Sequence, residues 1–293
     1  MFKRQKILLG LILNAKPNLK RTGLMKLAFL LKQETALSSD SSFYDFVPYN
    51  YGPYSFTLDR DLNALTRYGY LDHQALKINP ALINEANLLF KSLDYETQTG
   101  IKNIIERYNL PLKILLRYVY ERYPWFASRS KTTSAPKVKT RKTKAVYTVG
   151  YEGETIESFF CKILKASIER IIDIRHNPSS RKFGFSKKRF GELCDELVKL
   201  CDKFEIEYIH LPELGIPSTY RKTLETFEDY QKLLRIYERA ILPQAAAARR
   251  EAGQLMKERP SALLCFEADI QCCHRDRLAK AISADTGLPI IHL

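Results

Sequence analysis

Short apolar runs alternate with longer amphipathic stretches in the second half of the chain. Runs such as residues 146–149 and 262–266 are too short for helices and almost continuously apolar, as is typical of strands buried on both faces. Apolar residues then recur at helical spacing over residues 155–166, 187–204, 226–259 and 275–286. This alternation predicts an α/β domain with a three-layer, open parallel sheet of Rossmann-like class.

The chain has a natural boundary before these elements. Residues 127–145 contain seven Lys or Arg, no acid, and Val138 as the one branched apolar residue. Burial of such a segment cannot offset the entropy of ordering it. We therefore predict a first domain over residues 1–126, a basic flexible linker over 127–145 and the α/β domain over 146–293.

The first domain is expected to be mainly helical. Apolar spacing predicts helices near residues 3–15, 24–33 and 55–68, the second capped by Thr22, with an aromatic loop between the second and third and a short strand after residue 69. Further helices are predicted over residues 80–92, 95–108 and 111–123. The order helix, helix, loop, helix, strand is winged-helix-like and favours a DNA-binding domain, with a protein-interaction module as the alternative.

Charge is distributed unevenly over a chain whose net charge is +14. Residues 1–126 hold 17 Lys or Arg against 11 Asp or Glu, the linker holds 7 against 0, and residues 146–293 hold 23 against 22. A basic first part beside a nearly neutral second part predicts that the first part holds a polyanion, DNA rather than RNA, although a merely solvated surface would give the same count.

The sequence favours a protein of the reducing cytoplasm. No apolar run is long enough to span a membrane, and the apolar start of the chain lacks a cleavage site, so we expect no membrane partner and interpret the start as a first helix. The six cysteines show no C-x-x-C pair, which argues against a disulfide framework.

Polar strings follow the predicted strands of the second half. They occupy residues 150–153, 173–178, 210–215 and 267–275. Because the carboxyl ends of parallel strands meet at one edge of a sheet, these strings should form a single site there. A glutamate in a partly buried cleft is a frequent acid or base, so Glu267 and Glu152 are our candidate catalytic carboxylates.

Cys273 and His274 are further catalytic candidates. Cys273 is predicted at the first turn of a helix, where a thiolate is stabilised and its pKa lowered. The spacing from Cys265 to Arg275 is too long for a cysteine-phosphatase loop, and Cys265 itself is expected to be a core thiol. Although Cys272 and Glu267 are near, the close ligand pairs of structural zinc sites are missing, so we predict no metal and no cofactor.

Cations and aromatic rings surround the same predicted edge. Arginine matches phosphate through two hydrogen bonds, and aromatic rings stack on bases, so a nucleotide-like small anion is the expected ligand. The candidate anion-binding residues are Arg175, Arg181, Lys187 and Arg275. Asp173 lies two residues before Arg175, on the same strand face, and should form an ion pair with it. The supporting candidates are Tyr151, Asp173, Asn177, Ser186, His210, Glu213 and His292.

These strings resemble a known family. The ordered motifs at residues 150–153, 173–178, 210–215, 264–267 and 273–275, with the closing residues 291–293, are similar to those of the domain of unknown function 488 family, over residues 146–293. The resemblance implies a three-layer α/β domain and no assigned activity. In the first part, residues 1–75 resemble winged-helix modules and small phage-associated and antitoxin-linked proteins.

Three hypotheses about function follow. The leading one is a nucleic-acid-directed enzyme of DNA repair or phage defence, which carries out hydrolysis or group transfer on a nucleotide or base. The first alternative is a non-catalytic regulator that senses a nucleotide and binds DNA. The second alternative is a transferase that depends on the Cys273 thiol.

Overall fold

The structure is a computed structural model that describes residues 1–72, 75–132, 136, 142–186, 196–221 and 224–293. The chain divides into two compact units, residues 1–139 and 140–293. Each unit has its own set of buried apolar side chains. Within these described ranges, no helix combines the length and apolar character needed to cross a membrane.

The first unit is mainly helical, as predicted, and includes a small antiparallel hairpin. Its helices and strands are α1 (Lys3–Asn14), α2 (Arg21–Glu34), β1 (Val47–Tyr49), β2 (Gly52–Tyr54), α3 (Phe56–Arg67), α4 (Ile83–Lys91), α5 (Tyr95–Tyr108), α6 (Leu112–Arg122) and α7 (Pro124–Ala127). Ser55 caps α3 and Asp94 caps α5 through side-chain oxygens, which satisfy amides that have no partner inside the helix.

Three details of the first unit differ from the sequence predictions. The hairpin occupies part of the stretch that we interpreted as a loop, because Pro48 and Pro53 obscured the strand pattern. Helix α2 begins at Arg21 with Lys20 at the cap position, so Thr22 is its second residue and not its cap. The strand predicted after residue 69 is a single bridge between Leu71 and Ile78, and His73 lies outside the described residues.

The core of the first unit is built from α1 and α2 and the elements around them. The ring of Phe29 contacts those of Phe46, Tyr123 and Phe126 edge-on, with centroids 4.8–5.4 Å apart. At the end of α2, the Glu34 carboxylate accepts hydrogen bonds from Tyr108, Tyr118 and Tyr123 of later elements.

Lys26 and Asp61 are two of the polar side chains that are buried in the first unit. Lys26 of α2 is 2% exposed, and its Nζ donates to the carbonyl oxygen of Pro53 at 2.7 Å. Asp61 of α3 accepts hydrogen bonds from Arg4, Gln5 and Tyr44. Each group therefore holds a separate part of the chain against α2 or α3.

The second unit contains the predicted parallel sheet. Its elements are β3 (Val146–Gly150), α8 (Ile156–Lys165), β4 (Arg170–Asp173), α9 (Glu196–Lys203), β5 (Glu207–His210), α10 (Phe227–Ile236), α11 (Leu242–Gln244), α12 (Ala246–Glu258), β6 (Ser261–Cys265), α13 (His274–Thr286) and β7 (Ile290–His292). The helical stretch predicted over residues 226–259 is interrupted by a π-helical turn over Tyr237–Ile241, followed by α11 with Pro243. Helix α13 begins at His274, one residue before the predicted range of 275–286, and Cys273 occupies its cap position.

The five parallel strands lie in the order β5-β4-β6-β3-β7. Strand β6 pairs with both β3 and β4, so Cys265 lies beside Gly150 and Leu264 beside Asp173. In the usual dinucleotide-binding order the first two strands of the unit would be neighbours, and here β6 separates them. Side chains of α10, α12 and α13 pack on one face of the sheet, against Val146, Ile172 and Leu263.

Candidate functional site

A cleft of about 310 Å³ opens beside the carboxyl ends of β3, β4 and β6. Because β6 lies between the first two strands of the unit, their connecting loops converge there, as expected for an α/β sheet. The residues that line the cleft are Tyr151, Arg175, His176, Asn177, Ser179, Ser180, Arg181, Ile216, Ser218, Arg221, Cys265 and Phe266. Among these described lining residues, three are arginines and none is Asp or Glu.

The predicted pair of Asp173 and Arg175 forms the buried floor of this region. Arg175 Nη2 lies 2.5 Å from Asp173 Oδ2, and Asp173 is fully buried. The rest of the arginine is also held, since Nη1 donates to Tyr151 Oη at 2.8 Å and to the carbonyl of Phe185 at 3.0 Å. Tyr208 donates to Asp173 at 2.6 Å. The network fixes the turn after β4, and Nε, Nη1 and Nη2 of Arg175 all donate hydrogen bonds within the protein.

Aromatic rings form one wall of the cleft. Tyr151 stacks on Phe185 with centroids 4.2 Å apart and ring planes inclined by 8°. Phe266 meets Tyr151 edge-on at 5.3 Å. Phe266 is 42% exposed, whereas the two stacked rings are buried, so a rigid aromatic pair supports a ring that faces solvent at the cleft.

A buried cluster of two thiols, a carboxyl group and an imidazole lies behind the cleft. Glu267 Oε2 accepts from Cys265 Sγ at 2.9 Å and from Cys273 Sγ at 3.1 Å, and Cys265 Sγ lies 3.6 Å from His274 Nδ1. The other carboxylate oxygen, Oε1, accepts from Arg221 Nη1 at 3.0 Å. Cys265 and Arg221 reach the cleft, so they connect the cluster to it.

Burial changes the acid–base behaviour of this cluster. Burial and the neighbouring Cys265 raise the pKa of Glu267. Burial, together with the hydrogen bond that Cys273 donates to Cys265, also raises the pKa of Cys273 well above its usual range. The sequence predicted a lowered pKa for Cys273 from its place at the start of α13. The structure gives the opposite direction, because the Cys273 thiol is fully buried and faces a carboxyl group.

Arg275 and Glu152 hold the loop that carries Glu267. Arg275 is 2% exposed, and its guanidinium donates to the carbonyl oxygens of Glu267 and Ala268. It does not line the cleft, so its predicted contact with phosphate is replaced by contact with the backbone. Glu152 is exposed and accepts from the backbone N–H of Ala268 at 3.0 Å. A Cβ at Gly150 would overlap the carbonyl oxygen of Glu267, so this loop needs glycine beside it.

Other predicted site residues are placed in supporting positions. His210 Nε2 lies 2.8 Å from the carbonyl oxygen of Arg175, and Asn177 Oδ1 accepts from the backbone of Ser179 in the cleft wall. Ser186 Oγ is 3.5 Å from the backbone nitrogen of Ser180. Arg181 is exposed in the cleft wall, and Lys187 lies outside the described residues.

His292 and Glu213 are two further predicted residues that do not line the cleft. His292 Nδ1 is 2.7 Å from Thr148 Oγ1, which places it beside the middle of β3 and not at its carboxyl end. Glu213 is exposed in the short 3-10 helix Pro212–Leu214.

Comparison with known families agrees with this domain. Residues 155–282 match the family model described as "Domain of unknown function DUF488". The second unit carries a DUF488 domain. The matched region begins in the turn before α8 and ends in α13, so it contains the buried cluster and every residue of the cleft lining except Tyr151. No curated protein and no solved structure matches the chain.

Several residues of the cleft in this DUF488 domain could not be predicted from the sequence. Arg221, Ser218 and Phe266 line the cleft, but a lone arginine or serine after a proline carries no recognisable signal. Cys265 was correctly predicted to be buried, yet it also borders the cleft. The link between Arg221 and Glu267 spans 46 residues, which no local pattern can reveal.

Proposed function

We propose that the DUF488 domain binds the phosphate of a nucleotide or of a nucleic acid in the cleft, and that the chain is a nucleic-acid-directed enzyme that carries out hydrolysis or group transfer. The observation that carries this proposal is the lining of the cleft. It combines three arginines with serine and asparagine side chains and an exposed phenylalanine, and no acid occurs among its described lining residues. A volume of about 310 Å³ suits a ligand of nucleotide size.

The phosphate would bind between Arg181 and Arg221. Arg221 is bonded to Glu267 through Nη1, and a guanidinium has five N–H donors, so it retains donors for an anion. Arg175 is already bonded to Asp173, Tyr151 and Phe185, and we assign it the role of holding the floor. Two arginines from different loops can hold a phosphate in one orientation.

A base would stack on Phe266. Its exposed ring is supported edge-on by Tyr151, which limits the conformational entropy lost when a ligand stacks on it. Base stacking on an aromatic side chain contributes about 1–3 kcal/mol and tolerates different bases. The cleft would therefore favour a nucleotide over a bare phosphate ion.

Glu267 is the proposed acid or base of the reaction. Its Oε1 accepts from Arg221 and its Oε2 from Cys265, both of which line the cleft, so the carboxyl group lies one side chain behind a bound ligand. Glu152 is the weaker candidate because its carboxylate holds the backbone of Ala268. We assign Glu152 to positioning the Glu267 loop.

The first unit is proposed to hold the nucleic acid. Its excess of basic residues, and the seven Lys or Arg of residues 127–145, support this role. The order of α1, α2, the hairpin and α3 is compatible with a winged-helix-like module. We propose that the protein acts in the cytoplasm, since a reducing environment would keep Cys265 and Cys273 as thiols.

Binding to DNA and the fate of the DNA test this proposal together. Labelled single- and double-stranded DNA would be titrated with the full chain over a salt series, and the DNA would then be analysed for cleavage or base loss. We expect binding that weakens with salt, and altered DNA. Intact DNA after saturable binding would instead favour the nucleotide-sensing regulator, and absence of binding would refute the role of nucleic acid.

Matched variants connect the outcome to the cleft. Phe266→Ala and Arg221→Gln should weaken nucleotide binding about tenfold or more, while the exposed residues of α10 provide the controls Phe227→Ala and Arg235→Gln. Glu267→Gln should abolish turnover and retain binding. Equal losses in the cleft variants and in the controls would contradict the assignment of the site.

A further inference from the structure

The buried cluster behind the cleft has the composition of a metal site. One ligand atom each from Cys265, Glu267, Cys273 and His274 lies within 4.8 Å of every other, and all four residues are buried. Two of them come from the carboxyl end of β6 and the loop after it, and two from the start of α13. Cys265 is therefore held by a strand and His274 by a helix, with Cys273 at the cap position of that helix and Glu267 in the loop between the two elements.

The distance between Cys265 Sγ and His274 Nδ1 fits two ligands of one tetrahedral zinc ion. With Zn–S near 2.3 Å and Zn–N near 2.05 Å, a sulfur and a nitrogen on one zinc ion are about 3.6 Å apart. Cys265 Sγ and His274 Nδ1 are 3.6 Å apart. The two thiols both point at the same oxygen of Glu267, at 2.9 and 3.1 Å, so the sulfurs also converge on one point.

The second ring nitrogen of His274 is placed as in metal-binding histidines. Nε2 lies 3.3 Å from the carbonyl oxygen of Ile174, which can only accept a hydrogen bond. In the neutral imidazole, Nε2 therefore carries the proton and the lone pair of Nδ1 faces Cys265. A backbone carbonyl commonly fixes a ligand histidine in this way. The ring of Tyr237 packs edge-on against the imidazole at 5.2 Å and restricts its rotation.

The charges balance if a divalent ion is present. Two thiolates neutralise a 2+ ion, and the imidazole is neutral. The Glu267 carboxylate then remains paired with Arg221 at 3.0 Å. Buried charges are tolerated when each has a partner, and this arrangement leaves none unpaired.

We propose that Cys265, Cys273 and His274 bind a zinc ion, with the carboxylate of Glu267 beside the remaining coordination position. On binding, each thiol gives up its proton to solvent and a sulfur–zinc bond forms, without any change of oxidation state. Three protein ligands with one further position is the arrangement of catalytic zinc sites, and the site borders the cleft through Cys265. Metal content can be measured without any turnover, so the zinc site is tested independently of the reaction proposed above.

The metal content of the full chain tests the site directly. The protein would be loaded with zinc under reducing conditions, dialysed, and analysed by inductively coupled plasma mass spectrometry. We expect about one zinc ion per chain, and a loss of at least about tenfold in zinc affinity in Cys273→Ser. Cys272→Ser is the matched control, since its sulfur is adjacent in sequence but faces Asp269. Equal zinc in the Cys273 variant and the wild type would overturn the proposal.

A second measurement on the wild-type chain covers the case in which Cys273→Ser fails to fold. Cobalt bound by two thiolates gives an intense thiolate-to-metal charge-transfer band, so we expect this band in the cobalt-loaded protein. Absence of the band would overturn the proposal. Glu267→Gln should retain zinc while losing any turnover, so failure of the metal site and failure of the reaction are distinguishable.

Discussion

Replacing Lys26 with methionine should stabilise the first unit. Lys26 is almost completely buried, and its Nζ has the carbonyl oxygen of Pro53 as a hydrogen-bond acceptor at 2.7 Å. Burial lowers the pKa of Lys26 from 10.5 to about 7. A difference of this size corresponds to about 5 kcal/mol that opposes folding when the amine is charged. Loss of the hydrogen bond to Pro53 costs about 1–3 kcal/mol, so Lys26→Met should gain about 2–4 kcal/mol below pH 7.

The stability that Lys26→Met gains over the wild type should disappear at high pH. Between pH 7 and about 10.5, the unfolded chain keeps the proton of Lys26 while the folded chain has lost it. Because the unfolded state then binds more protons, the contribution of Lys26 to stability rises with pH, by about 1.4 kcal/mol per pH unit. The wild type should therefore approach Lys26→Met in stability as the pH nears 10.

Urea unfolding followed by tryptophan fluorescence is the appropriate assay. The chain has one tryptophan, Trp125 in α7, so the signal reports the first unit whatever the second unit does. Lys91→Met, at an exposed position of α4, serves as the control and should change stability little. The reasoning is refuted if Lys26→Met is no more stable than the wild type below pH 7, or if the two proteins show the same pH dependence.

Three further substitutions test other parts of the structure. Asp61→Ala removes the acceptor of Arg4, Gln5 and Tyr44 and should cost about 2–4 kcal/mol in the same fluorescence assay; a loss below about 0.5 kcal/mol would contradict it. Asp173→Ala leaves Arg175 buried without its carboxylate and should cost about 3–5 kcal/mol, measured by circular dichroism in urea. Gly150→Ala should displace the Glu267 loop and lower both stability and nucleotide binding, because its Cβ would overlap a backbone carbonyl oxygen. Gly253→Ala, within α12, should cost less, because its Cβ would lie 3.0 Å from a methyl group of Thr286, whose side chain can shift. Unchanged binding by Gly150→Ala would show that the loop does not shape the cleft.

Local patterns predicted the elements of the second unit well because each pattern is short. The alternation of strands and helices, the start of α13 within one residue of its predicted position and the pair of Asp173 and Arg175 all depend on spacings of a few residues. The hairpin in the first unit was missed because proline and tyrosine at residues 47–54 suggest turns as readily as strands.

The candidate site was predicted in part, for a similar reason. Its residues were expected at the carboxyl ends of the strands, and the structure places the cleft there. The sequence did not predict the orientation of the side chains or the contacts between distant segments. Arg275 turns toward the backbone of its own loop, and Arg221 bonds to Glu267 from 46 residues away. The two cysteines of the buried cluster are eight residues apart, on a strand and before a helix, so the usual close spacing of zinc ligands did not reveal them.

The position of β6 in the sheet has a consequence for how the protein folds during synthesis. Strands β3 and β4 are made early but pair with β6, and not with each other. Strand β4 can pair with β5 once residues 207–210 have emerged, but β3 has no strand partner until residues 261–265 of β6 have been made. The sheet therefore cannot be completed before then, and β3 must wait, unpaired, for more than 100 residues of synthesis. The elements of the first unit are complete by Ala127, so that unit can fold while the other is still being translated. A stall or truncation before β6 would leave a folded first unit attached to an unpaired β3 that is prone to aggregation.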